Sequence, residues 1–156
     1  ITAFSCSDDD DSGSSNVAGQ GNITFSVDGE EKSFDGSAFY LPNDNVTNIT
    51  DVATGIPNIS IVLNDVAPGD EITLDLQDPE DNNRVTISHN LDADDSNSAD
   101  ASDLYTNGNI NSTQGQITIT EYTDSKISGE FNAVLKNPFS EEISVQNGTF
   151  SDLNVQ

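Results

Sequence analysis

The chain has 156 residues, enough for one domain and a tail. Its 28 acidic residues face four basic ones, a formal net charge of −24. That balance excludes nucleic acid and anionic lipid as charge partners, because binding to them runs on phosphate neutralisation by Lys and Arg. Hydrophobic content is only 33%, a composition that leans toward disorder, but the apolar residues alternate with polar ones instead of scattering.

Ile1 to Phe4 are uncharged and mostly apolar, as the end of a signal-peptide hydrophobic region is, with any basic start lying upstream. Cys6 is the single cysteine and cannot form an internal disulfide. Ser5 before it is the small residue that lipoprotein signal peptidase needs, since the Cys must enter its site and carry a thioether-linked diacylglycerol. The expectation is that residues 1–5 end a signal peptide and that Cys6 is lipidated. Each buried methylene of such an anchor contributes about 0.8 kcal/mol. Ser7 and the run Asp8, Asp9, Asp10 and Asp11 follow, and Ser12 to Gly21 is rich in Gly and Ser. Residues 6–21 thus read as a flexible tether with a root-mean-square reach of roughly 20 Å, and residues 22–156 as one β-domain.

From Asn22 the period is two. Ile23, Phe25 and Val27 share a face, and Asp28-Gly29 turns into Lys32-Ser-Phe34. Tyr40 to Thr54, rich in Asn, Asp and Thr, reads as a long connection. Ile59, Ile61 and Leu63 alternate with polar neighbours, as do Ile72, Leu74 and Leu76, then Val85 and Ile87, then Ile117 and Ile119. Phe131, Ala133 and Leu135 end at Asn137-Pro138, where Pro suits the second position of a type I turn. Ile143, Val145 and Phe150 close the chain. No segment sustains a helical period. The pattern predicts an all-β fold: an antiparallel β-sandwich or flattened barrel of about eight or nine short strands.

The second long segment, Leu91 to Asp103, holds Asp92, Asp94, Asp95, Asp100 and Asp103 with Ser and Asn oxygens between them. Alternating oxygen donors are the ligands Ca²⁺ takes, although the Gly and terminal Glu of an EF-hand are missing. If 59–64, 71–77 and 84–90 are consecutive antiparallel strands, Asp65 and Asp70 stand at the same end as Asp92, Asp94 and Asp95. Those five residues are the candidate calcium ligands. The competing reading, a solvated acidic loop, follows from the net charge alone and is the stronger of the two.

The catalytic inventory is thin. His89 is the one histidine, in phase with Val85 and Ile87, and no Gly-x-Ser-x-Gly elbow accompanies it. Zinc lacks ligands, Gly-rich phosphate loops are absent, and no Trp offers a sugar platform. The reading is a non-enzyme with no resident cofactor.

Cys6-Ser7-Asp8-Asp9-Asp10-Asp11 resembles the start of mature surface lipoproteins of Bacteroidota. Lys126-Ile-Ser-Gly-Glu-Phe131, continuing to Leu135, and Ile143-Ser-Val-Gln-Asn-Gly148-Thr-Phe150 are similar to the closing hairpin of an uncharacterised lipoprotein family of that group. The resemblance implies that Ser7 to Asp11 act as an export signal to the outer leaflet, and that the protein is lipid-anchored in the outer membrane, facing outward. It carries over no catalytic residue. Two functions remain open: a non-catalytic interaction module or accessory subunit of an outer-membrane complex, and a ligand-binding module for a glycan or calcium. Joint exposure of the sheet edge and Phe39-Tyr40-Leu41 as one apolar patch separates them, since a contiguous patch marks a protein partner.

Overall fold

The computed structural model describes residues 21–52, 56–91, 103–107 and 114–156. Within them the chain is an antiparallel β-fold. The strands are β1 (Gly21–Val27), β2 (Glu30–Leu41), β3 (Val46–Asp51), β4 (Ile59–Asn64), β5 (Thr73–Asp75), β6 (Val85–Asn90), β7 (Leu104–Thr106), β8 (Gly115–Tyr122), β9 (Lys126–Lys136) and β10 (Glu142–Asn154). One helical turn, α1 (Pro79–Asn82), sits between β5 and β6. Strand order is β10-β1-β2-β3-β4-β6-β7-β9-β8-β5, and β10 pairs back onto β9. Eight strands thereby close a barrel, with β8 and β5 continuing the sheet from β9.

The alternation read from the sequence sets the inward faces. Ile23, Phe25, Ile59, Ile61, Leu63, Ile87, Ile117, Phe131, Leu135 and Phe150 all lie in one buried cluster. Closure removes most free edges, which an open sheet would expose to foreign strands. The β1–β2 turn places Asp28 (φ 50°) and Gly29 (φ 88°) in left-handed conformations, as a two-residue hairpin requires. The other positive-φ residues outside glycine are Asn45, Asp65, Ser140, Asn147 and Asp152, and Asn and Asp accept that region with the least strain. Asn147 and Asp152 lie at two register shifts in β10, which bend that long strand along the barrel wall.

β2 makes the corner. Residues up to Gly36 pair with β1, and Gly36 to Leu41 pair with β3. A Cβ at Gly36 would lie 2.6 Å from Ile23 Cγ1 and 2.8 Å from Leu153 Cδ2, so the close approach of the three strands requires glycine there. The C-terminus covers the part of β2 that β1 leaves open: Gln156 N–H donates to the Ala38 carbonyl and Tyr40 N–H donates to the Gln156 carbonyl.

Two expectations are corrected. Tyr40 to Thr54 is not a long connection, because a four-residue turn leads directly into β3. Its inward positions are Thr47, Ile49 and Asp51, and two polar residues out of three hid the period. The segment 71–77 is not the strand between 59–64 and 84–90. β4 pairs with β6 directly, Leu63 opposite Val85 and Ile59 opposite His89, while β5 pairs with β8.

Candidate functional site

The pairing of β4 with β6 decides where the acidic residues fall. The 64–70 connection leaves from the Leu63/Val85 end of that ladder, whereas Leu91 follows the Ile59/His89 end. Leu91 N–H donates to the Asp103 carbonyl, so both flanks of the second acidic segment stand at that far end. Asp65 and Asp70 are therefore not at the end from which the 91–103 connection leaves, as the calcium reading required. Both serve turns instead. The Asp65 carboxylate accepts from Asn45 Nδ2 at 3.3 Å and its carbonyl from Arg84 Nη2 at 2.7 Å. The Asp70 carboxylate accepts the Ala67 N–H at 2.9 Å. Asp92, Asp94 and Asp95 lie outside the described residues, as do Cys6, Ser7 and Asp8 to Asp11. Among the described residues no three His, Cys, Asp or Glu side chains gather as a metal site requires, and no helix is long and apolar enough to cross a membrane.

Three inward polar groups replace what the strand pattern concealed. Thr47 Oγ1 donates to the Val66 carbonyl at 2.9 Å and lies 2.6 Å from the Tyr122 hydroxyl. A Thr hydroxyl has one proton, so the Tyr122 O–H must donate to Thr47. Burial raises the Tyr122 phenol above its usual range. The link ties β3 to β8 and holds the 65–70 turn against the core. Asp51 is the second group: its carboxylate accepts from Asn58 Nδ2 at 3.1 Å and from Ile59 N–H at 2.9 Å, satisfying a buried charge on both oxygens.

The third group is His89. It is buried, 3% exposed, with its ring edge-on to Phe25 at 5.2 Å. Nδ1 lies 2.6 Å from the Asn58 carbonyl, which makes Nδ1 the protonated nitrogen and leaves buried Nε2 without a hydrogen-bond partner among the described residues. Burial lowers its pKa from the usual value. The Asn58 carbonyl and Asp51 pull the other way, and Lys32 adds to the lowering. The imidazole packs in the core, held by the Phe25 ring on one side and the Asn58 carbonyl on the other.

The outer surface separates into two faces. From the part of β2 that pairs with β3, across β3, β4, β6 and β7, the outward positions are Phe39 and Leu41 with buried Ser37 in phase with them, then Val46, Asn48 and Thr50, then Ser60, Val62 and Asn64, then Thr86, Ser88 and buried Asn90, then Leu104 and Thr106. None of them is ionisable, in a chain with 28 acidic residues. Phe39 is 40% exposed and Leu41 51%. Phe39 lies opposite Asn48, Asn48 opposite Val62, and Leu41 opposite Val46, so these four apolar side chains share one patch. Tyr40 does not belong to it: it turns inward, edge-on to Tyr122 at 6.4 Å, with its hydroxyl donating to Asn45 Oδ1. Sequence reading proposed the tripeptide, and the alternation of β2 reduces it to Phe39 and Leu41.

The opposite side, over β8, β9 and β10, carries a shallow groove of about 560 Å³ lined by amides and hydroxyls, among them Gln116, Thr118, Asn132 and Gln146, with Glu130. All four basic residues of the chain are taken up in ion pairs: Lys32 with Glu30, Arg84 with Asp81, Lys126 with Asp152 and Lys136 with Glu142. The surface charge left over is carboxylate.

Fold and surfaces together define a closed antiparallel β-barrel with two added strands and one uncharged outer face. Comparison with protein-family models, with curated proteins and with solved structures finds no match to this chain.

Proposed function

We propose that the chain is a non-catalytic, lipid-anchored protein of the bacterial outer-membrane surface, an interaction module or accessory subunit of an outer-membrane complex. Cys6 is its anchor, Ser7 to Asp11 its export signal and residues 12–20 its tether, since Gly21 already belongs to β1. Its docking surface is the β2–β3–β4 face. The observation that carries this reading is the exposure of Phe39 and Leu41 beside Val46 and Val62 on a face without ionisable side chains. Loss of charge from the centre of a patch, with aromatic residues retained, is the compositional mark of an interface core. Elsewhere on so acidic a chain, desolvation by a partner would strand carboxylates.

The test is a mild-detergent pull-down of the native lipoprotein and of Phe39→Ser with Leu41→Ser. One membrane component should co-purify at fixed ratio with the parent and be lost with the variant. Equal recovery from both would remove the face from consideration.

The amide-lined groove over β8 to β10 favours a second reading, a glycan-binding module, because such groups hydrogen-bond sugar hydroxyls. Oligosaccharide titration followed by amide chemical shifts distinguishes the two: shifts confined to Gln116, Asn132 and Gln146 would select the groove.

A further inference from the structure

Building on the reading of that face as a docking surface, we infer that its partner is a protein surface with an apolar centre and a Lys/Arg rim. The centre is set by Phe39, Leu41, Val46 and Val62. Four described carboxylates stand on its rim. Asp35 lies one outward position before Ser37 on β2, Asp44 is in the β2–β3 turn, Asp65 follows Asn64, and Asp103 precedes Leu104. Both cations beside the face are already engaged: Arg84 is held by the Asn64 and Asp65 carbonyls and faces Asp81 at 3.8 Å, and Lys136, opposite Thr106, pairs with Glu142 at 2.6 Å.

Size makes the rim necessary. Three strands about 4.8 Å apart, with three outward side chains on each repeating about every 6.8 Å, cover roughly 300 Å². That is well short of the roughly 800 Å² per partner of a standard interface. Burial of the centre alone leaves the complex weak, and the surrounding carboxylates must contribute. Opposite charges around a small apolar centre raise the association rate and fix orientation. A second copy of this chain does not fit, because a two-fold contact between identical patches would bring one acidic rim against another.

The experiment places a benzophenone photo-crosslinker at Phe39 in the full lipid-anchored chain, within the cells that make it. A matching crosslinker at Thr118 on the opposite side is the control. Adducts are mapped by mass spectrometry to the partner's peptide. The Phe39 adduct is expected on an apolar segment flanked by Lys or Arg. Its yield from isolated membranes should fall severalfold when salt is raised from about 0.05 M to about 0.5 M, since screening then shortens the reach of the rim charges to a few ångströms. A Phe39 adduct to a second copy, to a neutral or acidic segment, or with a salt-independent yield overturns the inference and leaves the docking face standing. Adducts from Thr118 alone, or none from either position, overturn both.

Discussion

Replacing Thr47 by Val keeps the shape of the β3 side chain and removes one oxygen. That oxygen is the hub of the buried link: it donates to the Val66 carbonyl and accepts from the Tyr122 hydroxyl. Both partners sit on buried residues, Val66 at 0% and Tyr122 at 4% exposure. Thr47→Val therefore strands an acceptor and a donor, each at about 1–3 kcal/mol, for a total of about 2–6 kcal/mol. Tyr122→Phe removes the donor but leaves Thr47 bonded to Val66, so it costs only about 1 kcal/mol. The double variant strands the Val66 carbonyl alone. It should be no less stable than Thr47→Val by itself, giving a coupling of about 1–2 kcal/mol in a double-mutant cycle. Urea unfolding of residues 21–156 measures this, with m-values of about 1–3 kcal/mol/M and a midpoint shift on the order of 1–2 M for Thr47→Val. Simple addition of the two single effects would refute the hydrogen-bond assignment. A Thr47→Val midpoint equal to the parent's would refute the link itself.

His89 makes stability pH-dependent in one direction. Its folded pKa is lowered by burial, so the unfolded chain binds the proton more tightly. The contribution is complete above the unfolded value of about 6.5 and is lost as pH falls from there toward the folded pKa. Between neutral and mildly acidic pH the parent should lose more unfolding free energy than His89→Asn, and parallel curves would contradict the buried neutral ring. Gly36→Val introduces atoms against Ile23 and Leu153 at the β2 corner and should cost about 1–3 kcal/mol by overpacking, read as a lowered thermal midpoint; an unchanged midpoint would mean that the corner is not tightly packed. Because Asp65 and Asp70 stand at the other end of the β4–β6 ladder from Leu91, millimolar Ca²⁺ and Mg²⁺ should raise the unfolding midpoint equally through screening of the acidic chain. A calcium-specific shift lost in Asp92→Asn with Asp94→Asn would restore a calcium site in the 91–103 connection. Cys6→Ser should release the protein from the membrane into soluble fractions, and continued membrane retention would count against the anchor.

The sequence by itself determined the strand faces and the all-β class. Ile23/Phe25/Val27, Ile59/Ile61/Leu63 and Ile117/Ile119 alternate because a half-buried strand sends successive side chains to opposite sides, and that period is a local property. It also located the Asp28-Gly29 turn, whose positive φ values local chemistry permits. β3 escaped because Thr47 and Asp51 point inward, and what compensates them, Tyr122, Val66, Asn58 and the Ile59 N–H, lies elsewhere along the chain. Periodicity counts apolar residues and cannot register a polar group satisfied at long range. Pairing was likewise decided by tertiary structure. Three successive strand-like runs read as neighbours, yet 73–75 went to the sheet edge beside β8 and left β4 to meet β6, which reversed the end at which the second acidic connection leaves. The candidate docking face follows the same rule. Phe39 and Leu41 were visible as apolar residues, but their union with Val46 and Val62 exists only because β2, β3 and β4 lie side by side in that register. The absence of charge across that face is a property of register, which no single segment encodes.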